Sequence, residues 1–245
     1  MKDIGNRADY SPTRAQIENY HVGQFYNPYH STAAFFDWLD SLVDICKNSN
    51  ILDMACGAGA NMHYAAQRFP SSSFTGIEIN AELVDIGGKL LASKNSQNAR
   101  LLEGDWLALG DGHKNKYDGV INLQTLFMFP DWKEPIAKLI ELNPKWIAIT
   151  SIFYEGPIDC ISRIVDQTTH SEHFMNVFSL PPIKSYFEEY GYTNFYAVPY
   201  EIDIDLPKSD DGGMGTFTEK LENGSRLQIS GPKLMPWYFI LASRT

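Results

Sequence analysis

Residues 50–64 read NILDMACGAGANMHY, an apolar run that ends in an acid, Asp53, and runs into a small-residue turn holding Gly57 and Gly59. A strand, a turn of this kind and a helix start together suit a nucleotide, because glycine lets the backbone approach a ligand and the free N–H groups of the helix start face it. The flanks decide which nucleotide. A dinucleotide fingerprint needs a third glycine for close helix packing, and Met62 occupies that place. A phosphate loop needs Gly-Lys-Ser/Thr, and none follows. Asp53, four residues before Gly57, would repel a pyrophosphate but attract an ammonium or sulfonium. The turn therefore favours a positively charged, phosphate-free nucleoside.

Outward from this turn, short apolar runs alternate with amphipathic segments from Asn50 to Phe153, the pattern of a parallel sheet with crossover helices. The runs NILDMA, SFTGIE, RLLEGD, YDGVINLQ and WIAITSIF predict five parallel strands. Helices are predicted over 61–68, 81–93 and 132–142, the last stopped by Asn143 and Pro144. Upstream, Phe35, Leu39, Leu42, Val43 and Cys46 recur at helical spacing behind Ser31 or Thr32 as N-cap. Downstream come a looser inserted segment, a helix in PPIKSYFEEYGY with Pro182 near its first turn, a hairpin turned at Asn223–Gly224, and a closing strand WYFILASR.

LDMACGAG closely resembles the first motif of the class I S-adenosylmethionine-dependent methyltransferases, with Ala55 where that family often has glycine. The resemblance predicts an acid at the end of each of the next two strands. Glu78 ends SFTGIE, able to accept bonds from both ribose hydroxyls, and Asp105 ends RLLEGD, with Trp106 beside it as an aromatic face for adenine. The fourth strand, with Asp118 at its entry and Asn122 to Thr125 at its exit, is similar to the family's next motif. Singly these acids also suit a helix cap, a solvated strand end or turn chemistry; order and spacing join them. What the resemblance implies is an α/β, doubly wound, mostly parallel seven-stranded sheet with an antiparallel C-terminal strand and a late β-hairpin insertion. Residues 1–49 would be a helical lid or cap and 50–245 the methyltransferase domain, with an inserted substrate-side segment and helix over 154–194 and the hairpin over 213–231. The cofactor set would be Tyr26, His30, Asp53, Ala55, Gly57, Gly59, Glu78, Ile79, Asp105, Trp106 and Asn122.

The implied reaction is an in-line attack on a sulfonium methyl, which cancels charge, so alignment supplies much of the acceleration and a base is needed only for a protonated nucleophile. Tyr154 and Glu155 after the fifth strand, and His170 and His173 in the insert, are the catalytic candidates. His170, Glu172 and His173 invite a metal reading, but two histidines three apart without a further anchored acid more often mark a polar helix or loop, and no metal is expected. Tyr20, Phe25, Tyr26, Tyr29 and His30 either fold over the cofactor as a water-excluding lid or simply pack the N-terminal helix on the sheet; for Phe25 packing is preferred.

A net charge of −10 with scattered Lys and Arg opposes nucleic acid and anionic membranes. NPYH at Asn27 is similar to the Asn-Pro-Pro-Tyr motif of amino-group methyltransferases, but that motif follows the fourth strand, where this chain has NLQT, so DNA is not the expected substrate. Three cysteines without CxxC spacing read as reduced thiols, and neither an apolar signal core nor a run of ~18 apolar residues is present, so a cytoplasmic location is expected. The expected acceptor is an oxygen or nitrogen of a small metabolite or sugar; protein or RNA as target, and a non-catalytic cofactor-binding regulator, are the alternatives. A nicotinamide oxidoreductase would need a second mononucleotide-binding half-sheet, which the hairpin ending does not supply.

Overall fold

The computed structural model describes residues 14, 17–167, 170–208, 210 and 214–244. Parts of the expected lid (1–13, 15, 16) and insert (168, 169), the hairpin's first residue, 213, and the last residue, 245, lie outside the described residues.

Among the described residues the main sheet holds eight strands: β8 (Phe178–Ser179) pairs with β5 off the path, and the other seven run in the order β3-β2-β1-β4-β5-β13-β9. They are β1 (Asn50–Met54), β2 (Ser73–Glu78), β3 (Ala99–Glu103), β4 (Gly119–Leu123), β5 (Trp146–Tyr154), β9 (Asn194–Pro199) and β13 (Trp237–Ser243). The first five are parallel, while β13 runs antiparallel between β5 and β9. The helices are α1 (His30–Asp40), α2 (Ala60–Arg68), α3 (Ala81–Ser93), α4 (Lys133–Glu141) and α5 (Leu180–Glu189). Strands β1 to β5 and β13 and helices α2 to α4 fall within two residues of the boundaries read from sequence.

Side chains alternate across a strand, so β1 divides its residues between two layers. Ile51, Ile121, Leu123, Ala148, Phe239 and Leu241 pack with Phe35, Phe36 and Leu39 of α1, Met62 and Ala65 of α2, and Leu83 and Leu91 of α3. Leu52, Met54, Val120, Ile147, Ile149 and Ile240 face the other layer, with Ile136, Leu139 and Ile140 of α4 and Ile183 and Phe187 of α5. This double coverage explains why central strands read as continuous apolar runs.

The missing third glycine has a structural counterpart. Met62, fully buried on α2, fills the space over Gly76 of β2, where a Cβ would stand 2.6 Å from its Cε. The small residue sits on the strand and the large one on the helix, the reverse of the dinucleotide arrangement.

Two expectations for α1 are corrected. Its N-cap is Tyr29, with no side-chain capping bond. Both hydroxyls expected to cap are engaged elsewhere: Thr32 Oγ1 donates to Asn61 Oδ1 at 2.7 Å and Ser31 Oγ accepts from Gln124 Nε2 at 3.3 Å. The helix also ends at Asp40, leaving Leu42 and Cys46 exposed, and Ile45 enters the core instead. Tertiary contacts outweigh the helical stripe here.

The segment after β5 folds as a small hairpin of β6 (Arg163–Val165) and β7 (Glu172–Phe174), then β8 (Phe178–Ser179), which pairs with β5. Asn176, fully buried, fastens it to the loop after β4: its N–H donates to Phe127 O at 2.9 Å, its Nδ2 to Phe129 O at 2.7 Å, and its Oδ1 accepts from Ser162 N at 2.8 Å. The late hairpin pairs β10 (Thr216–Lys220) with β11 (Arg226–Ser230), and β12 (Lys233–Leu234) extends it. Its turn closes through Leu221 N–H to Ser225 O at 2.8 Å, with Gly224 at φ +88°. Glycine takes that left-handed position without Cβ strain.

Candidate cofactor and acceptor site

At the C-terminal edge of β1 the chain makes two successive reversals. Ala55, Gly57 and Gly59 all have positive φ, at 57°, 56° and 83°. For Ala55 that conformation costs roughly 1–2 kcal/mol, which is the physical sense of a glycine at this position. The turn is tied to the neighbouring strand by Cys56 N–H to Ile77 O at 3.1 Å and Gly57 N–H to Glu78 Oε2 at 2.9 Å. Glu78 Oε1 accepts from Asn80 N at 3.0 Å, and Asn80 caps α3 through Leu83 N–H at 3.1 Å. Glu78 thus holds the glycine turn and the start of α3 with the oxygens expected to meet a ribose, each of which keeps further acceptor capacity.

Asp53 is 1% exposed, and its Oδ2 has no hydrogen-bond partner. Burial, with the Glu78 charge added to it, pushes Asp53 well above the usual carboxylate range. Glu78 is raised mainly by burial, against the opposing pull of the Asn80, Gly57 and Ile79 N–H groups. Among the described residues neither acid has an ion-pair partner. Two neighbouring carboxyls held from water without a cation form a receptor for one. Asn122 of β4 adds a second orphan: its Nδ2 donates to Met54 O at 2.7 Å, while the buried Oδ1 is unpartnered.

Asp105 follows β3 at the same edge and caps a short turn through Leu107 N–H at 2.9 Å. Trp106 is buried: its Nε1–H donates to Pro135 O at 3.2 Å and its ring meets Phe129 edge-on at 4.9 Å. That commits the indole to the core beneath the β4–α4 loop rather than to an open aromatic face. Ile79 is half-buried beside Glu78.

The N-terminal segment crosses this edge. A Cβ on Gly57 would stand 2.8 Å from Nδ1 of His21, whose imidazole is buried and lowered to about 4 by that burial. Tyr20 Oη donates to Gln124 Oε1 at 3.4 Å, and Gln124 itself, at φ 59° just after β4, reaches Ser31. Phe25 stacks on His63 at 5.4 Å and is buried, so it packs rather than covers. Of the remaining aromatics in the expected lid, Tyr29 meets Tyr20 edge-on at 5.9 Å, whereas Tyr26 and His30 lead away from the acids. Tyr26 lies under Lys94 Nζ at 4.0 Å, past the C-terminal end of α3, and His30 Nδ1 sits 3.1 Å from Asp203 Oδ1. His21 and Gln124, absent from the expected cofactor set, take the places nearest the turn and the β4 exit. A polar residue straight after β4 was the available signal for Gln124, and nothing local marked His21.

Of the expected catalytic residues, Tyr154 is half-exposed at the end of β5, and Glu155 Oε1 accepts from Tyr238 Oη at 2.9 Å. Burial, then Glu155, pushes Tyr238 up to about 12, so the phenol stays protonated and orients the carboxylate. His173 lies in β7 opposite Ile164 and is lowered by burial. His170 is exposed, at φ 57°. Glu172 faces Arg163 at 3.4 Å rather than closing a triad with the two histidines.

Residues 51–142 match the family described as Methyltransferase domain. The chain is 28% identical over 110 residues to an uncharacterized protein of Rickettsia prowazekii, covering 43% of each chain. It is 26% identical over 102 residues to a fatty-acid O-methyltransferase of Mycolicibacterium smegmatis, covering 42% of this chain and 33% of that one. It thus spans less than half the length of these curated relatives. The crystal structure of the YcgJ protein of Bacillus subtilis shares the fold, with a TM-score of 0.55 at 11% identity over 87% of this chain and 99% of that one. The strand order, the acids at successive strand ends and the matched segment agree: residues 51–142 are similar to a methyltransferase domain, and they are carried on a Rossmann-like fold.

Proposed function

We propose that the protein transfers the methyl group of S-adenosylmethionine to an oxygen or nitrogen of a small molecule. The observation that carries the reading is the buried Asp53–Glu78 pair beside a glycine turn, an anionic cradle without a cation among the described residues. Asp53 and Glu78 would hold the charged and ribose ends of the cofactor, Ala55, Gly57, Gly59 and Ile79 would let the backbone approach it, and Asp105 would accept from the adenine amino group. When bound, the cofactor supplies an electrophilic methyl on a sulfonium. Asn122, with one free acceptor oxygen, would orient the cofactor at the β4 exit, and Tyr20, His21 and Gln124 would exclude water from it.

Acceptor binding falls to the far side of the same edge. Tyr154 and the Glu155–Tyr238 pair would position the nucleophile, with Glu155, His170 or His173 taking its proton where it has one. The Mycolicibacterium relative supports an oxygen acceptor. The net charge of −10 supports a small molecule over RNA. None of the helices in the described residues is long and apolar enough to cross a membrane.

The test is a screen of small-molecule pools with isotopically labelled methyl donor, read by mass shift, alongside calorimetry with S-adenosylmethionine, S-adenosylhomocysteine and NAD. The reading predicts donor and product binding, loss of both in Asp53→Ala and Glu78→Ala, and a labelled small-molecule product. NAD binding without the other two would overturn it.

A further inference from the structure

The Asp53–Glu78 pair has a consequence beyond holding a cofactor. Its carboxyls come from adjacent parallel strands, at 1% and 6% exposure, and only Glu78 is hydrogen-bonded by backbone N–H groups. Among the described residues the other ionisable groups at this edge bring no positive charge. Cys56 is a thiol that burial, and then both acids, push upward, and His21, seated on Gly57, is held neutral by burial. From α2, His63 is bonded to Ser96 Oγ at 2.7 Å, and Arg68 is engaged by Asp37 and Asp40 of α1. Beside β1, β4 brings Ile121 and Asn122. Two buried carboxylates cannot both stay charged in such surroundings, because desolvation and mutual repulsion act in the same direction.

We infer that the Asp53–Glu78 pair carries a proton in the cofactor-free protein and releases it to solvent when a cationic group of the cofactor enters. The inference rests on the function proposed above. The balance is simple: protonated pair plus cationic ligand gives ionised pair, bound cation and one proton taken by the buffer. Affinity then rises with pH, by at most about tenfold per pH unit, until the empty pair ionises unaided. The cofactor offers two cations, an α-ammonium and a sulfonium, and both satisfy the chemistry.

The experiment is calorimetric titration of the full chain at fixed pH in phosphate and in Tris, whose ionisation heats differ widely, repeated between pH 5.5 and 8.5. The slope of observed heat against buffer ionisation heat counts the protons exchanged. S-adenosylmethionine should release about one proton where the empty pair is still protonated, and the count should fall toward zero at high pH. Equal release with S-adenosylhomocysteine would identify the ammonium as the displacing cation, and release with the methyl donor alone would identify the sulfonium; either supports the inference. 5′-Methylthioadenosine, which has neither cation, should release none. Asp53→Asn and Glu78→Gln, which keep side-chain volume, should each cut the release by at least half. Binding of the methyl donor with no buffer dependence across the range, or equal release by the neutral nucleoside, overturns the inference and leaves the proposed function standing. Failure of every nucleoside to bind overturns both.

Discussion

The imidazole of His21 rests on the α-carbon of Gly57, so that the residue opening the glycine turn is covered by a side chain 36 positions earlier in the chain. A methyl group on Gly57 would meet His21 Nδ1 at 2.8 Å, and its φ of +56° disfavours any side chain as well. Gly57→Ala should destabilise the fold by about 1–3 kcal/mol and weaken cofactor binding. Adding His21→Ala separates the causes: recovery of part of the loss in a double-mutant cycle identifies the contact, and strict additivity would show that backbone strain alone is responsible.

The same imidazole sets a pH response for the N-terminal segment. Its pKa lies near 4 in the fold, below the ordinary value of 6.5, so the unfolded or detached segment binds the proton more readily. The stability this contact contributes is complete above 6.5 and is lost as pH falls toward 4. Limited proteolysis within residues 14–25 should accelerate across that window in wild type and lose its pH dependence in His21→Gln. An unchanged cleavage rate in wild type would refute the assignment.

Asp53 responds in the opposite sense. Its pKa is raised in the fold, so the contribution to stability is present below the unfolded value, about 4, and declines as pH rises through the folded one. Asp53→Asn should therefore stabilise the cofactor-free protein at pH 8, by about 1–3 kcal/mol, and change it little at pH 4. Urea melts at the two pH values measure the difference. The same variant should bind S-adenosylmethionine more weakly, a trade of function against stability at one buried acid.

Ala55 holds a left-handed conformation at φ 57°. Ala55→Gly should remove roughly 1 kcal/mol of strain, partly offset by the freedom glycine gains in the unfolded chain. A thermal melt should move up by a few degrees, with cofactor affinity unchanged within about twofold. A lower melting temperature would show that the Ala55 methyl contributes more in packing than the backbone loses in strain.

Asn176 anchors the inserted segment through three bonds. Asn176→Ala leaves Phe129 O and Ser162 N without that partner, for a cost of about 2–3 kcal/mol. Hydrogen exchange should rise over residues 158–179 and spare β1 to β3, while S-adenosylmethionine affinity stays within about threefold. Exchange spreading equally into β1 would mean that the insert is not a separable unit.

Much of this protein is written locally. The five parallel strands follow from apolar runs of strand length, the crossover helices from their stripes, and the cofactor class from an acid before a glycine turn that lacks a third glycine. These are short-range properties, set by side-chain period and backbone conformation. The N-terminal segment shows where local reading stops. Its aromatics are visible in the sequence, but which of them reach the cofactor edge depends on a long-range path: Tyr20 meets Gln124 and His21 meets Gly57, while Tyr26 turns to Lys94 and His30 to Asp203. The capping hydroxyls of α1 are likewise diverted by partners on other elements, and Ile45 replaces Cys46 in the core because the helix ends before the stripe does. Tertiary structure alone decided that Asp53 Oδ2 is unpartnered and that Glu78 braces the glycine turn. A charge acquires its energetic meaning only from the water and counter-charges that the fold removes or supplies.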